Sequence, residues 1–426
     1  MKTKNEGIKE RGLSSPQNHE LEGPCSVEFP VNWHNKQLGE ILTLNYGWSL
    51  PEKKRVTGDV PVFGSNGIVG YHNEPLVASK GIIVGRKGSA GNVHISRRPF
   101  CPIDTTFFIT PTDTKLNLEF LYFFLLHVDL KRILGDVGVP GLNREMAYRE
   151  QAWLPTEVSE QRKIAAVLRL LQRAIEQQER LLALTTELKK TLLHQLFTHG
   201  LRNEPQKQTE IGLIPESWGV VKLKEVCSFL SGGTPSKQKL EFWIGSIPWI
   251  SPKDLKKPRL TDAVDHISQA ALEDGSTLAP AGSVFVVIRG MILARDVPVA
   301  LAEVPMAFNQ DTKAIIPSNR ITPDFLLYSL EAYKRNLFQK VGRSAHGTMT
   351  LMSSDIAQFL IPLPDKKEEQ RQIADALFQV EKKMDIHRRK HATLSDLFRT
   401  LLHELMMARI QITLPCLEIL ENRGVG

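Results

Sequence analysis

Two stretches of this chain are near copies of one another. Glu160–Phe197 reads EQRKIAAVLRLLQRAIEQQERLLALTTELKKTLLHQLF and Glu369–Met406 reads EQRQIADALFQVEKKMDIHRRKHATLSDLFRTLLHELM, aligned without a gap at a constant offset of 209. Neither stretch contains Gly or Pro, so each reads as one uninterrupted helix, about 57 Å long at 1.5 Å per residue. A long helix repeated in this way constrains the fold more than any compositional figure, because whatever buries the apolar face of one copy has a counterpart for the other.

The duplication extends upstream. Leu154-Pro155 matches Leu363-Pro364 at the same offset, whereas Pro30–Ile41 (PVNWHNKQLGEI) resembles Pro215–Val226 (PESWGVVKLKEV) at an offset of 185. The second copy is therefore longer by about 24 residues, inserted between these anchors. Gly58-Asp59-Val60-Pro61 pairs with Gly245-Ser246-Ile247-Pro248, and Asp104-Thr105 with Asp311-Thr312. These anchors divide the chain into a polar N-terminal extension (1–29), a first globular unit (30–155), a central helix (156–200), a linker (201–212), a second globular unit (213–364), a second helix (365–410) and a tail (411–426).

Thr156 and Asp365 each follow a proline and suit a helix N-cap, with Glu368 completing a capping box in the second copy. Gly200 suits the stop of the first helix. Ile164, Leu168, Leu171, Ile175 and Leu182 alternate by fours and threes, with Gln178 as a polar break. In the second helix Ile373, Leu377, Val380, Met384 and Leu394 continue the pattern, with His387 and His391 on the same seam. Two arrangements fit: each helix packed on its own globular unit, or the two helices paired. Their matched length favours pairing.

The globular segments read as mixed α/β (α+β). β-rich runs at Gly81–Val84, Thr106–Thr110 and Ser283–Arg289 are punctuated by Gly, Pro and Asn, and late helices are predicted over Leu118–Leu134 and Pro323–Lys340. At 426 residues with 24% charged and 42% hydrophobic residues, the chain is neither collagen-like nor largely disordered. Its four cysteines, Cys25, Cys101, Cys227 and Cys416, form no CxxC pair, which excludes a zinc ribbon and fits a reducing cytoplasm. No secretion signal and no apolar run of about 18 residues is present, so no membrane partner is expected.

Motifs for catalysis are missing. There is no GxxxxGK[ST], no HExxH, and no GxGxxG or Asn-Pro-Pro-Tyr-like tetrad to serve S-adenosylmethionine. Asp365 and the Glu381-Lys382-Lys383 string mimic a nuclease metal site, but about 16 residues of helix would hold their carboxylates roughly 24 Å apart. Loops suited to binding are plentiful. Glycine turns carry Ser65 and Asn66, then Arg86, Lys87, Ser89 and Asn92, in the first unit; Thr234, Ser236, Lys237, Lys253, Lys256, Arg343, His346 and Thr348 occupy similar loops in the second. Short polar and cationic side chains on glycine turns approach phosphates and base edges closely, and the net charge of +7 suits an anionic partner. Trp243 and Trp249, flanked by Ile and Pro, read as core rather than as stacking platforms.

Taken together, SGGTPSK (231–237), FWIGSIPWISPKDL (242–255), NQDTKAIIP (309–317), HGTM (346–349), GDVPVFGSNGIVGYHN (58–73), GRKGSAGNVHI (85–95) and the duplicated EQR helix starts resemble the specificity subunits of type I restriction-modification systems. The resemblance covers roughly residues 30–410. It departs in the first unit, which lacks the SGGTPSK string. It implies two target-recognition domains held apart by an antiparallel coiled coil, reading a bipartite, asymmetric site in double-stranded DNA. It also implies that the chain is non-catalytic and binds no cofactor. S-adenosylmethionine, ATP and Mg belong to its partners, two adenine-methylating modification subunits and two ATP-dependent restriction/translocase subunits. The competing expectation is a coiled-coil scaffold or DNA-binding regulator outside restriction.

Overall fold

The turn-forming glycines and prolines cut the globular segments into short strands, and the computed structural model assembles these into the same sheet twice. It describes residues 29–134, 141–344 and 347–412. His346, most of the N-terminal extension and most of the tail lie outside the described residues. The chain divides into two compact units, one running to Ile175 and resuming at Thr393, the other Glu176–Ala392.

In the first unit, strands Asn45–Tyr46, Thr106–Ile109, Gly81–Gly85 and Val93–Ser96 form one sheet in that order, and Gly67–His72, Val60–Gly64 and Cys101–Pro102 form a second. The second unit repeats this order with Cys227–Ser231, Thr312–Pro317, Val284–Val287 and Val299–Ala302, then Asp265–Ile267, Ile247–Ile250 and Met306–Phe308. Each unit is closed by an antiparallel pair joining a strand near its start to its last, Trp33–Gln37 with Gln151–Pro155 and Gly219–Lys222 with Leu360–Leu363. The longer second copy adds Arg259–Leu260 to one sheet and Leu278–Ala279 to the other. The expected linker (201–212) contains a strand, Gln206–Thr209, which pairs with Gly212–Pro215 as a hairpin whose Ile214 is fully buried.

Register tests the internal alignment residue by residue. Val62 faces Cys101 and Trp249 faces Ala307 in matching parallel pairs, so Gly58 and Gly245 are equivalent as expected. A Cβ at either glycine would sit 2.4 Å or less from a backbone carbonyl oxygen of the neighbouring strand, which explains why both copies keep Gly there. The landmark Asp104-Thr105 with Asp311-Thr312 is off by one. Gly85 faces Thr106 while Val287 faces Thr312, and both threonines are fully buried, so Thr106 is the equivalent of Thr312.

The late helices are each interrupted. Asn117 caps Leu118–Val128, accepting from the Phe120 amide, and Asp129 in left-handed conformation (φ 50°) ends it before a short turn of 3-10 helix. Thr322 caps Pro323–Ala332 in the same way. Both helices bury almost all of their apolar residues beneath the sheets.

The long helices run Val158–His199 and Lys367–Met406. Each begins later than the expected caps: Gln161 N–H donates to the Glu157 carbonyl and Gln370 N–H to that of Lys366, while Thr156 hydrogen-bonds Asn32 instead. The duplicated Glu-Gln that follows anchors each helix to its own unit. The Trp33 indole donates to Glu160 at 3.0 Å and the Trp218 indole to Glu369 at 3.2 Å. The side-chain carbonyls of Gln161 and Gln370 accept from the amides of the helix-capping residues Asn117 and Thr322, and their NH2 groups donate to the carbonyls of Pro155 and Pro364. Gln370, fully buried, also reaches the Arg320 carbonyl. Leucine is similar in volume but satisfies none of these groups, so Gln370→Leu should destabilise the second unit by about 3 kcal/mol. Urea unfolding followed by hydrogen exchange of that unit measures this, and a loss under about 1 kcal/mol would refute the anchoring role.

The first arrangement considered for the seam residues, packing on a globular unit, accounts for part of the seam. Ile164 and Leu168 lie in the first unit's core beside Leu405 and Met406; Ile373 and Leu377 lie in the second unit's core beside Leu196 and Phe197. Their burial is therefore shared with a globular unit and is not solely helix against helix. Val380 and Met384 are buried, and Leu171, Ile175, Leu182 and Leu394 are half-buried. Within the second unit the helices touch in opposite chain directions: Gln178 hydrogen-bonds His387 at 2.9 Å, and Lys189 meets Glu381 at 2.7 Å. The polar break at Gln178 thus has its own partner. Glu381 also accepts from the Tyr328 hydroxyl, so its carboxylate is committed to packing rather than to a metal.

Candidate nucleic-acid interface

In the first unit the fold brings two predicted loops together. Ser65-Asn66 forms the turn between Val60–Gly64 and Gly67–His72, and Asn92 closes the loop after Gly81–Gly85 by accepting from the Gly85 amide. The Asn92 side chain donates to that of Asn66 at 3.5 Å. Asn66, Lys87 and Ser89 are exposed, and Arg86 and Asn92 are half-buried. Ser65 differs from expectation: it is buried, and its hydroxyl donates to the Thr105 carbonyl at 2.6 Å, so it shapes the turn from inside.

His94 supports the same turn from beneath, 3.4 Å from the Ser65 carbonyl. Burial holds its pKa below 6.5, assisted by the Lys131 charge and opposed by that hydrogen bond. His127, packed beside His403, is held low by burial and by the charges of His403 and Arg132. Because both folded-state values lie below the unfolded value of 6.5, the unfolded chain binds more protons, and the first unit loses stability as pH falls through 6.5. Its melting temperature should drop between about pH 7.5 and 5.5, and the double variant His94→Gln/His127→Gln should flatten the curve. An unchanged slope in that variant would assign the pH dependence elsewhere.

The second unit's candidates fall into three places. Around the 231–237 loop, a cleft of about 480 Å³ is lined by Lys237, Trp243, Trp249, Ser251, Lys253 and Asp265. Trp249 is buried and donates to the Gly233 carbonyl; Trp243 stands edge-on to it, donates to the Ser236 carbonyl, and is only half-buried. The expectation of a core tryptophan therefore describes Trp249 better than Trp243. Lys253 pairs with Asp265 at 2.6 Å, and Thr234 donates to Gln310. Lys256 is elsewhere, on a cleft of about 520 Å³ with Arg259, Lys334 and Lys382. Arg343 and Thr348 belong to a hairpin fastened to Arg289-Gly290, where the Gly290 amide donates to the Met349 carbonyl.

The apparent lack of an SGGTPSK loop in the first unit is resolved by backbone geometry. The Gly233 amide donates to Phe308 O and the Trp48 amide to Pro102 O, positions made equivalent by the parallel pairs above. A Cβ on Gly47 would lie 2.1 Å from the Ile103 carbonyl oxygen, and one on Gly232 2.3 Å from that of Phe308. Tyr46-Gly47-Trp48-Ser49-Leu50 is therefore the same loop as Ser231-Gly232-Gly233-Thr234-Pro235. Carrying the ungapped offset of 185 a few residues past Ile41 finds it, since Gly47 falls on Gly232. Tyr46 and Trp48, each nearly half exposed, are further candidate site residues that composition-based loop spotting misses.

Among the described residues no group of acids, histidines and cysteines could hold a metal ion, and no helix is long and apolar enough to cross a membrane.

Known proteins share this fold. A crystal structure of a type I restriction-modification S subunit from M. genitalium superposes over 89% of this chain and 97% of its own with a TM-score of 0.67, at 16% identity, a likeness of fold. The EcoR124I/EcoR124II specificity subunit of Escherichia coli is 37% identical over 151 residues, 35% of this chain and 37% of that protein. The MjaVIII specificity subunit of Methanocaldococcus jannaschii is 24% identical over 363 residues, 80% of this chain and 81% of its own length. The matches to the EcoR124I/EcoR124II and MjaIX subunits thus span only about two fifths of those relatives. The family model described as type I restriction modification DNA specificity domain matches residues 30–186 and again 215–395. With a doubled sheet, a doubled helix anchor and both segments matched, this chain belongs to the type I restriction-modification DNA specificity family.

Proposed function

We propose that the chain is the DNA-reading specificity subunit of a type I restriction-modification complex, non-catalytic itself, which directs adenine methylation or ATP-dependent cleavage by its partners. The observation that carries this reading is one fold built twice with unlike loops. Matching backbones present Trp48-Ser49-Leu50 in one unit and Gly233-Thr234-Pro235 in the other, as two unlike half-sites require. The long helices act as a paired antiparallel coiled coil between the readers. Half-sites about one turn of DNA apart, roughly 34 Å, would then present the same face of the duplex.

In this reading two modification subunits carry S-adenosylmethionine, two restriction/translocase subunits carry ATP and Mg, and the chain holds none of these. The assembly works in the cytoplasm on double-stranded DNA. Deleting the gene and sequencing the methylome tests the proposal: one bipartite adenine-methylation motif should vanish and return on complementation. A methylome that does not change would favour the scaffold or regulator reading.

A further inference from the structure

Alongside the loops already described, the first unit carries a cationic and aromatic cluster at Tyr46. The Arg86 guanidinium lies 5.1 Å from the centre of the Tyr46 ring and that of Arg144 lies 5.2 Å from it, so the two are at most about 10 Å apart. Arg86 also lies over Phe107, and Arg144 over Tyr148. Arg86 donates to the Asp104 carbonyl at 2.7 Å, leaving most of its five donors for other use. Tyr46, Arg86, Phe107 and Arg144 line an open cavity of about 410 Å³ together with Lys87 and Glu145. Glu145 is the one acid of that lining, 3.5 Å from Arg144, against three cations. Like charges this close repel within one screening length, so the site favours an anion.

The second unit narrows the choice of anion. Leu142 donates its amide to the Arg86 carbonyl and Leu351 to that of Ile288, which makes Arg86 equivalent to Ile288 and Arg144 to Ser353. Lys87 and Arg289 correspond, each bonded through its amide to the residue before the buried threonine. Tyr46 becomes Ser231 and Phe107 becomes Lys313, and the Lys313 ammonium donates to Ser231 at 2.8 Å. Arg86 and Arg144 give way to the neutral Ile288 and Ser353, while a cation is kept at the Lys87/Arg289 position, where Arg289 lies 3.9 Å from Asp311, and a second cation enters with Lys313. A base contact would let the charge vary with the sequence read; a backbone phosphate demands it in both units.

We propose that Arg86 and Arg144, stacked on Tyr46, clamp one backbone phosphate of the DNA held by the first unit, with Lys313 and Arg289 serving the equivalent phosphate in the second. The clamp rests on the DNA-reading function proposed above. Its role is to set the reading loops in register on the duplex rather than to choose bases. Tyr46 is a positioning residue, holding both guanidinium planes by cation–π contact.

The test uses the complex of the full chain with its modification subunit, and fluorescence anisotropy on a target duplex and a scrambled duplex across a salt series. Arg144→Ala should weaken both duplexes by the same factor and reduce the slope of log K against log salt by about 0.9. Arg144→Lys and Tyr46→Phe should keep the slope, and Tyr46→Leu should reduce it. An unchanged slope in Arg144→Ala overturns the clamp. So does a loss confined to the target duplex, or a methylation motif relaxed at one base, since either marks base reading. If the wild-type complex shows no preference for the target duplex, the specificity reading fails, while the slope on scrambled DNA still reports on the clamp.

Discussion

Lengthening both long helices by four residues at matched positions should widen the spacer of the methylated motif by about two base pairs and leave both half-sites unchanged. Four residues add about 6 Å of helix, close to two base-pair steps of roughly 3.4 Å. The contacts between the helices dictate where the insertions belong. Lys189 is held by Glu331 and Glu381, whereas Gln178 and Glu179 face His387 and His391. Placing four residues within Thr185–Leu188 and four more between Asp385 and Ile386 keeps all of these pairs. The same insertion in the first helix alone pulls Gln178 away from His387, and methylation should fall sharply instead of moving to a longer site. An insertion of four is also one that a heptad pattern absorbs by local unwinding. Methylome sequencing of the double-insertion strain reads the result, and any new base within a half-site would end the idea that the helices set spacing.

Exchanging the second unit for that of another family member should replace one half-site and preserve the other. The structure restricts how the exchange is made. Leu196 and Phe197, from the end of the first long helix, and Ile373, Ala374 and Leu377, from the start of the second, belong to the second unit's core with Trp218 and Phe325. Phe197 stacks on Phe325 at 5.3 Å between ring centres. A graft bounded at Pro215 and Pro364 that is aliphatic at position 325 leaves a cavity costing about 3 kcal/mol or more. A graft that brings its own residues for 196–197 and 373–377 should fold and change one half-site completely. A change at both half-sites would show that the two units do not read independently.

How much of this was legible in the sequence depends on whether the signal was local. The gap-free EQR repeat, the glycine at the end of the first helix and the alternating seam are local, and each corresponds to an element of the fold. The duplicated Glu-Gln was visible as a pattern, but its purpose was not. It binds an indole from over a hundred residues upstream and the cap of another helix, partners that only folding brings near. The off-by-one landmark at Asp104-Thr105 has the same origin, since identical letters outweighed a hydrogen-bond register that is set across strands. The Tyr46 loop was missed because its aromatic residues do not look like SGGTPSK. What the two loops share is a glycine pressed against a carbonyl, a property of backbone packing.

By itself, then, the sequence determined that this protein is a doubled unit of mixed α/β segment and long helix, because periodicity and repetition are properties of the chain. Only the tertiary structure decided which seam residues serve a core, that Ser65 faces inward, and that Tyr46, Arg86 and Arg144 meet. Those outcomes depend on contacts between residues from 40 positions apart (Ser65 with Thr105) to 241 (Ile164 with Leu405), whose geometry is set by strand register and close packing of the whole unit.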